Sequence, residues 1–394
     1  MKKINVKKMF DFFVFLNLFT LCCDADNNFV FYFSLIGLIF TALIRGKIEK
    51  RIFFSETNMW KYLFGLYAAL SVLWSISYID SKAMVYVFIR RTVLILSLTI
   101  FVRDIKDVKK ILLMYLICNF CMMIKISYRF EMDYAGAKTW DVITGNYFNT
   151  VAQFLAIGII IAYYSFETTE NKHIKRFCLI FIIFAFYHIY LTGSRKGLVI
   201  PIVEFVIYRI ITSGFKIEKI IKNILVFGCG GAVIVVFLIL NPEVYERLKI
   251  VANMFLTGAN GDESTMLRQY YIELAKKMFI DSPIVGQGIN TFPYVLNMQH
   301  LGYKYCHNNF YEILSGTGVI GVVLYYWFYA KLLWKLYKTR RNKINVMGFS
   351  IILTLLVFEY GIVTYSVYMY PIIFAILSVL CVTNNEERKG EEIV

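Results

Sequence analysis

His307 stands where a polar stretch gives way to an apolar one, in the run CHNNFYEILSGTGVIG that spans residues 306–321. If the apolar part is a helix, its first turn carries unpaired backbone N–H groups and partial positive charge, which attract an anion. Asn308 or Asn309 can cap that helix. The same field disfavours an imidazolium, so a histidine here is expected to be neutral, as suits a general base that takes a proton from a hydroxyl. The plainer alternative is a capping or interfacial histidine without chemistry. Gly316, Gly318 and Gly321 spell G-x-G-x-x-G in the same run. With no strand before them they do not make a nucleotide-binding loop, and small residues at these positions are expected to let a neighbouring helix come close.

Arginines supply the second half of a possible site. Arg195, in LTGSRKGLV, and Arg268, in GDESTMLRQYYIELAKKMFIDSP, lie in segments expected on the same side as His307. A guanidinium grips phosphate oxygens in a two-pronged fashion, so this pair suits a diphosphate, with Ser194 and Lys196 beside it. Anchoring to lipid headgroups is the alternative for Arg195 and Lys196. Arg90 and Arg91 fall near the middle of AMVYVFIRRTVLILSLTIFV, where an unpaired charge is expensive. At least one should therefore face a polar cavity, the alternative being an internal ion pair with Glu204 or Glu359.

These residues need a frame, and the composition says which kind. The 394 residues are 59% hydrophobic and 18% aromatic, with mean hydropathy +0.60, which describes an all-α polytopic membrane protein. About twelve apolar segments of roughly 20 residues start near Met9, Phe29, Trp60, Ala83, Val108, Tyr147, Arg176, Gly197, Ile221, His307, Val346 and Val367. Loops rich in Lys and Arg alternate with loops that are not, which puts both termini in the cytoplasm and His307 outside. That topology also accounts for the net charge of +15, so no nucleic-acid partner is implied. Residues 1–394 form a single integral membrane domain, with 241–306 as one large extracytoplasmic loop containing short helices. Within it a helix capped by Ser264 or Thr265 should bury Met266, Tyr270, Leu274 and Met278 and stop before Pro283, after which Gly286 and Gly288 let the chain turn. The eight cysteines lie mostly in apolar runs and suggest neither a disulfide framework nor a metal site.

HNNFYEILSGTGVIG fits the pattern H-[NSQ]-x9-G-x-x-G through His307, Asn308, Gly318 and Gly321, and so resembles the bacterial O-antigen ligase and O-antigen polymerase superfamily. TGSRKG resembles that family's external Ser-Arg turn, with Lys196 where a small residue is usual. MLRQYYIELAKKMFIDSPIVGQGINTF resembles its loop stretch through Arg268, Gly286, Gly288 and Phe292. The resemblance implies metal-independent, inverting glycosyl transfer without a cofactor at the outer face of the bacterial cytoplasmic membrane. The donor it implies is a polyprenyl-diphosphate-linked oligosaccharide. His307, Arg268 and Arg195 would be catalytic, and Ser194, Lys196, Asn308, Arg90, Arg91, Gly286, Gly288 and Tyr305 would contact substrate. Polymerisation of repeat units is the favoured activity, with transfer to lipid A-core, as by a ligase, or flipping of the same lipid as alternatives. Membrane lipid and a chain-length regulator are the further partners expected.

Overall fold

A computed structural model describes residues 6–25, 27–45, 50–130, 143–192, 194–213 and 263–391. All regular structure among them is helical: α1 (Val6–Cys23), α2 (Asn28–Arg45), α3 (Lys50–Phe53), α4 (Glu56–Leu70), α5 (Tyr78–Phe101), α6 (Ile105–Phe130), α7 (Phe148–Thr168), α8 (Lys172–Thr192), α9 (Arg195–Ser213), α10 (Glu263–Asp281), α11 (Phe292–Met298), α12 (Asn309–Lys338), α13 (Lys343–Phe358) and α14 (Met369–Glu391). Six of these, α2, α5, α6, α7, α8 and α12, are long and apolar enough to cross a membrane. Helix α13 and the Met369–Cys381 part of α14 are apolar but shorter. The segment expected from Ile221, and residues 241–262 of the large loop, lie outside the described residues.

The bundle has two chemically different ends. At one, Lys7 pairs with Asp107, Lys110 with Asp11, Lys331 and Lys335 with Glu56, and Lys343 with Glu167, so ion pairs tie the helix ends together. At the other, the contacts run mainly through amides, hydroxyls and carbonyls: Lys125 to the Cys23 carbonyl, Asn146 to the Leu21 carbonyl, Ser194 to Asn149 and Asn308 to the Tyr360 carbonyl. His307 belongs to this second end.

Helices α10 and α11 form a cap over that end with an apolar cluster of their own, Tyr271, Leu274, Ala275, Met278, Phe292, Leu296 and Cys306. The buried stripe of α10 is thus 271, 274, 275 and 278. The expectation for Leu274 and Met278 agrees, whereas Met266 and Tyr270 are exposed because the face that meets α12 is rotated by one residue.

One interruption joins the cap to the bundle. Gly318 takes φ 62° and ψ −166° inside α12, about nine residues or roughly 13 Å from its start. Such a break deprives Val319 and Ile320 N–H of the carbonyls of Ser315 and Gly316. Residues 283–288 supply every missing partner. Val319 N–H donates to the Pro283 carbonyl (3.0 Å) and Ile320 N–H to that of Ile284 (3.3 Å), while the Ser315 and Gly316 carbonyls accept from Gln287 (3.0 Å) and Gly288 (2.8 Å). The inserted segment is pinned from behind as well. Ile76 N–H donates to the Gln287 carbonyl (3.0 Å), Ile289 N–H to Ser71 Oγ (3.1 Å), and Ser81 Oγ to the Ile289 carbonyl. The close approach expected at Gly316 and Gly318 is therefore made by a loop backbone instead of a helix.

Gly286, Gly288, Gly316 and Gly318 of this joint all lack room for a Cβ. A Cβ on Gly318 would overlap the Ile284 carbonyl, and one on Gly286 (φ 70°) would overlap the Gly316–Thr317 peptide. Gly318→Ala is expected to lower stability by at least about 2 kcal/mol from strain and overlap together, read as a lower unfolding temperature of the purified protein in detergent. Gly65→Ala, at a helical position with open space around it, should instead gain up to about 1 kcal/mol. Equal unfolding temperatures for the two variants would remove the joint from the account of the fold.

Candidate active site

The run before α12 is held in an unusual shape by buried carboxylates. Cys306 N–H donates to Glu312 Oε2 (2.6 Å), and Tyr365 OH donates to Glu312 Oε1 (3.4 Å). Asn308 is the N-cap, its side chain accepting from Tyr311 N–H (3.1 Å) while its Nδ2 donates to the Tyr360 carbonyl (3.0 Å). Asn309 works in the other direction. Its N–H donates to the Glu359 carbonyl (2.9 Å), its Nδ2 to Glu359 Oε2 (3.1 Å), and its Oδ1 accepts from Thr364 and Tyr365 N–H. Both neighbours of His307 are thereby tied down, and His307 itself sits at φ 59°. That left-handed conformation costs a non-glycine residue energy and persists only where the surroundings impose it.

The imidazole lies beside two tyrosines, its centroid 4.2 Å from that of Tyr305 and 6.1 Å from that of Tyr271, the latter ring nearly parallel to it. Among the described residues neither ring nitrogen has a hydrogen-bond partner. Burial, followed by the charges of Arg268, Lys196 and Lys304, lowers the His307 pKa to about 4. The ring is therefore neutral at physiological pH and in electrostatic reach of three cations. Arg268 arrives on α10 one helical turn before Tyr271, which places both on the face turned toward His307. Burial also pushes the neighbouring Cys306 thiol above its ordinary range, so it stays a thiol and no nucleophile at neutral pH.

A second helix start comes to the same place. Ser194 Oγ caps α9, accepting from Gly197 N–H (3.3 Å) and donating to Asn149 Oδ1 (2.9 Å). Lys196 Nζ donates to the Gly361 carbonyl, next to the Tyr360 carbonyl that holds Asn308. The starts of α9 and α12 are thus bridged by adjacent residues of the 359–368 loop. Helix α9 begins at Arg195, whose side chain lies outside the described residues.

The other residues singled out in the sequence divide into three groups. Gly286 and Gly288 are buried in the α12 joint, where their N–H groups donate to backbone carbonyls and their carbonyls accept from the Ser282 and Thr291 hydroxyls. Arg91 is buried and donates to the carbonyls of Tyr365 and Ser366. Arg90 lines a separate cavity and donates to Tyr32 OH (2.6 Å). The ion pair considered for these arginines is absent. Glu359 accepts from Tyr326 OH (2.7 Å), Tyr329, Thr364 and Asn309, and Glu204 is buried with neither carboxyl oxygen hydrogen-bonded. Carbonyls at a loop offer Arg91 the acceptors that an acid would have supplied.

Glu312, Tyr271 and Tyr365 are structural parts of the site that sequence reading passed over, and Asn309, considered there only as a cap, instead ties the start of α12 to Glu359, Thr364 and Tyr365. Glu312 did carry a signal, an acid five residues after His307 inside an apolar run, where an unpaired charge would be costly.

Residues 180–326 match a family model described as O-antigen ligase, a span that includes Ser194, Lys196, Arg268, His307 and Asn308. The chain is also 23% identical over 204 residues to the teichuronic acid biosynthesis protein TuaE of Bacillus subtilis (strain 168). That match covers 50% of this chain and 41% of the relative, so less than half of the relative's length is spanned. Both matches support the O-antigen ligase and polymerase superfamily that the sequence motifs resemble.

The depressed His307 pKa has a sign that can be checked without substrate. Its folded value, about 4, lies below the unfolded value of about 6.5, so the unfolded chain takes the proton first. Stability is then lost as pH falls from about 6.5 toward 4. His307→Asn, which keeps a residue tolerant of this backbone, should lose less unfolding temperature than wild type between pH 7 and pH 4.5. Identical losses would mean that the imidazole titrates normally.

Proposed function

We propose that this chain is a glycosyltransferase that polymerises polyprenyl-diphosphate-linked oligosaccharide repeat units into a surface polysaccharide at the outer face of the bacterial cytoplasmic membrane. One observation carries the reading: a neutral imidazole at the start of α12 faces Arg268, Lys196 and Lys304 and no acid among the groups that shift its pKa. A base and a cationic cradle are the two things that transfer from a lipid diphosphate requires. The family match and the similarity to a teichuronic acid biosynthesis protein support the same class of chemistry.

In this reading a hydroxyl of the acceptor sugar gives its proton to His307 as its oxygen attacks the anomeric carbon of the donor. The bond from that carbon to the diphosphate oxygen breaks, and polyprenyl diphosphate leaves with the electron pair. Attack opposite the leaving group inverts the anomeric centre. Arg268 and Arg195, with Lys196 near them, neutralise charge that grows on the departing oxygen. Because diphosphate is a good leaving group, no second acid is needed, and neither a metal nor a cofactor enters the scheme. Tyr305, 41% exposed beside the imidazole, offers a face for a sugar ring. Glu312 acts through the backbone of Cys306, as a positioning residue.

The ion-paired end of the bundle, where the Lys- and Arg-rich loops join the helices, supports a cytoplasmic location for that end and an external one for His307. A ligase reading, with lipid A-core as acceptor, uses the same catalytic groups and is favoured by the description of the matching family.

The test is purified protein given lipid-diphosphate repeat units, with and without lipid A-core, and resolved on a gel. A ladder without core supports polymerase, and capture by core alone supports ligase. His307→Ala should reduce transfer by about 10²-fold or more while the protein elutes as wild type, and Arg268→Lys should cost at least tenfold because the charge survives but the fork does not. Activity in His307→Ala near that of wild type would end the general-base proposal.

A further inference from the structure

A second cationic cavity lies at the same end of the bundle. Its volume is about 340 Å³, and it is walled by the end of α1, the start of α2, α5, the start of α7 and the 366–369 segment. Arg90, Asn146, Tyr147 and Tyr368 give it a polar part, and Phe31 and Phe154 an apolar one.

Arg90 is not used up by the protein. One Nη donates to Tyr32 OH and the guanidinium lies over the Tyr32 and Tyr368 rings, but Nε–H is buried without a hydrogen-bond partner, and no described carboxylate pairs with the charge. A guanidinium inside an apolar bundle with an idle donor is costly, and a phosphate offsets both the charge and the missing bond. Arg91, one residue on, gives both Nη groups to the Tyr365 and Ser366 carbonyls and lines no part of the cavity, although its Nε–H too is buried without a hydrogen-bond partner. Neighbouring cations in one helix thus have different tasks.

The cavity and the candidate active site share the 359–368 loop. The 359–368 loop holds Asn308 and Asn309 at its start and contributes Ser366, Val367 and Tyr368 to the cavity at its end. Tyr147, on the cavity rim, is in electrostatic reach of Tyr305, which touches His307. Polymerisation joins two lipid-linked chains, so it needs a place for two phosphorylated headgroups near one base.

We infer that the Arg90 cavity binds the diphosphate headgroup of a second polyprenyl-linked substrate, the acceptor, while Arg268 and its neighbours hold the donor. The inference rests on the polymerase reading, and its apolar wall takes the first isoprene units of the lipid. A bulk anionic phospholipid shares the same headgroup chemistry, and the test separates the two sources.

Full-length protein in detergent is titrated with polyprenyl diphosphate carrying no sugar, and bound lipid per chain is measured. Wild type should bind two equivalents. Arg90→Gln should weaken one of them at least tenfold and leave the other. Thr150→Phe, which fills the cavity from the start of α7 and leaves Arg90 in place, should do the same, so a folding defect of the arginine variant does not decide the matter. Arg268→Gln should remove the other equivalent. A single equivalent lost in Arg268→Gln and unchanged in Arg90→Gln overturns the inference while the donor site stands. A single equivalent abolished by either variant makes the cavity part of one site and overturns it too. If only Arg90→Gln and Thr150→Phe lose lipid, the cavity is upheld and the donor site of the proposed function falls. Phosphatidylglycerol competing at equal concentration would assign the cavity to bulk lipid and overturn the substrate assignment.

Discussion

A helix in an apolar medium can be broken only if something else pairs the backbone groups that the break releases, because each unpaired group there costs several kcal/mol. Helix α12 is broken at Gly318, and residues 283–288 return all four partners to it. The rest of the site depends on this exchange. It fastens the α10–α11 cap to the bundle, and with the cap come Arg268 and Tyr271. It also fixes the upper part of α12, whose first residue follows the His307–Asn308 pair. A cap held only by its small apolar cluster would leave the distance between guanidinium and imidazole to chance.

Charge is sorted at this end of the bundle by giving the buried acids neutral partners. The two buried carboxylates nearest His307, Glu312 and Glu359, are satisfied by neutral donors, an N–H and a phenol for the first and two phenols, a hydroxyl and an amide for the second. Neither neutralises Arg268, Lys196 or Lys304, so their field falls on the imidazole and lowers its proton affinity. A carboxylate facing His307 would raise that affinity. The acids serve here to hold the start of α12, Glu312 through the Cys306 N–H and Glu359 through the Asn309 amide.

The 359–368 loop is where these demands meet. It receives Lys196 at Gly361, Asn308 at Tyr360, Asn309 at Glu359 and Arg91 at Tyr365 and Ser366. Three elements, α5, α9 and α12, are registered against one short connection, and so are the two cationic regions on either side of it. Such convergence explains why a residue as strained as His307 can be held at positive φ.

The order and approximate ends of the helices were legible in the sequence, since apolar runs, Asn caps and prolines act over a few residues. So was His307 at a helix tip capped by one of the two asparagines after it, and so was a close approach at Gly316 and Gly318, though not what makes it. Local pattern also gave Leu274 and Met278 an inward face. What lay beyond it were pairings between distant positions: Gly288 with Gly316, Arg91 with Tyr365, Asn309 with Glu359, Lys196 with Gly361. The sequence by itself determined a helical membrane chain with a histidine at the head of one helix, because hydropathy and capping are short-range properties. Only the tertiary structure decided that a loop backbone fills the break in that helix, that Arg90 and Arg91 part company, and that Arg268 and Lys196 come within electrostatic range of the imidazole. Those outcomes turn on which hydrogen-bonding groups remain unpaired once the helices have packed, and a linear pattern does not contain that information.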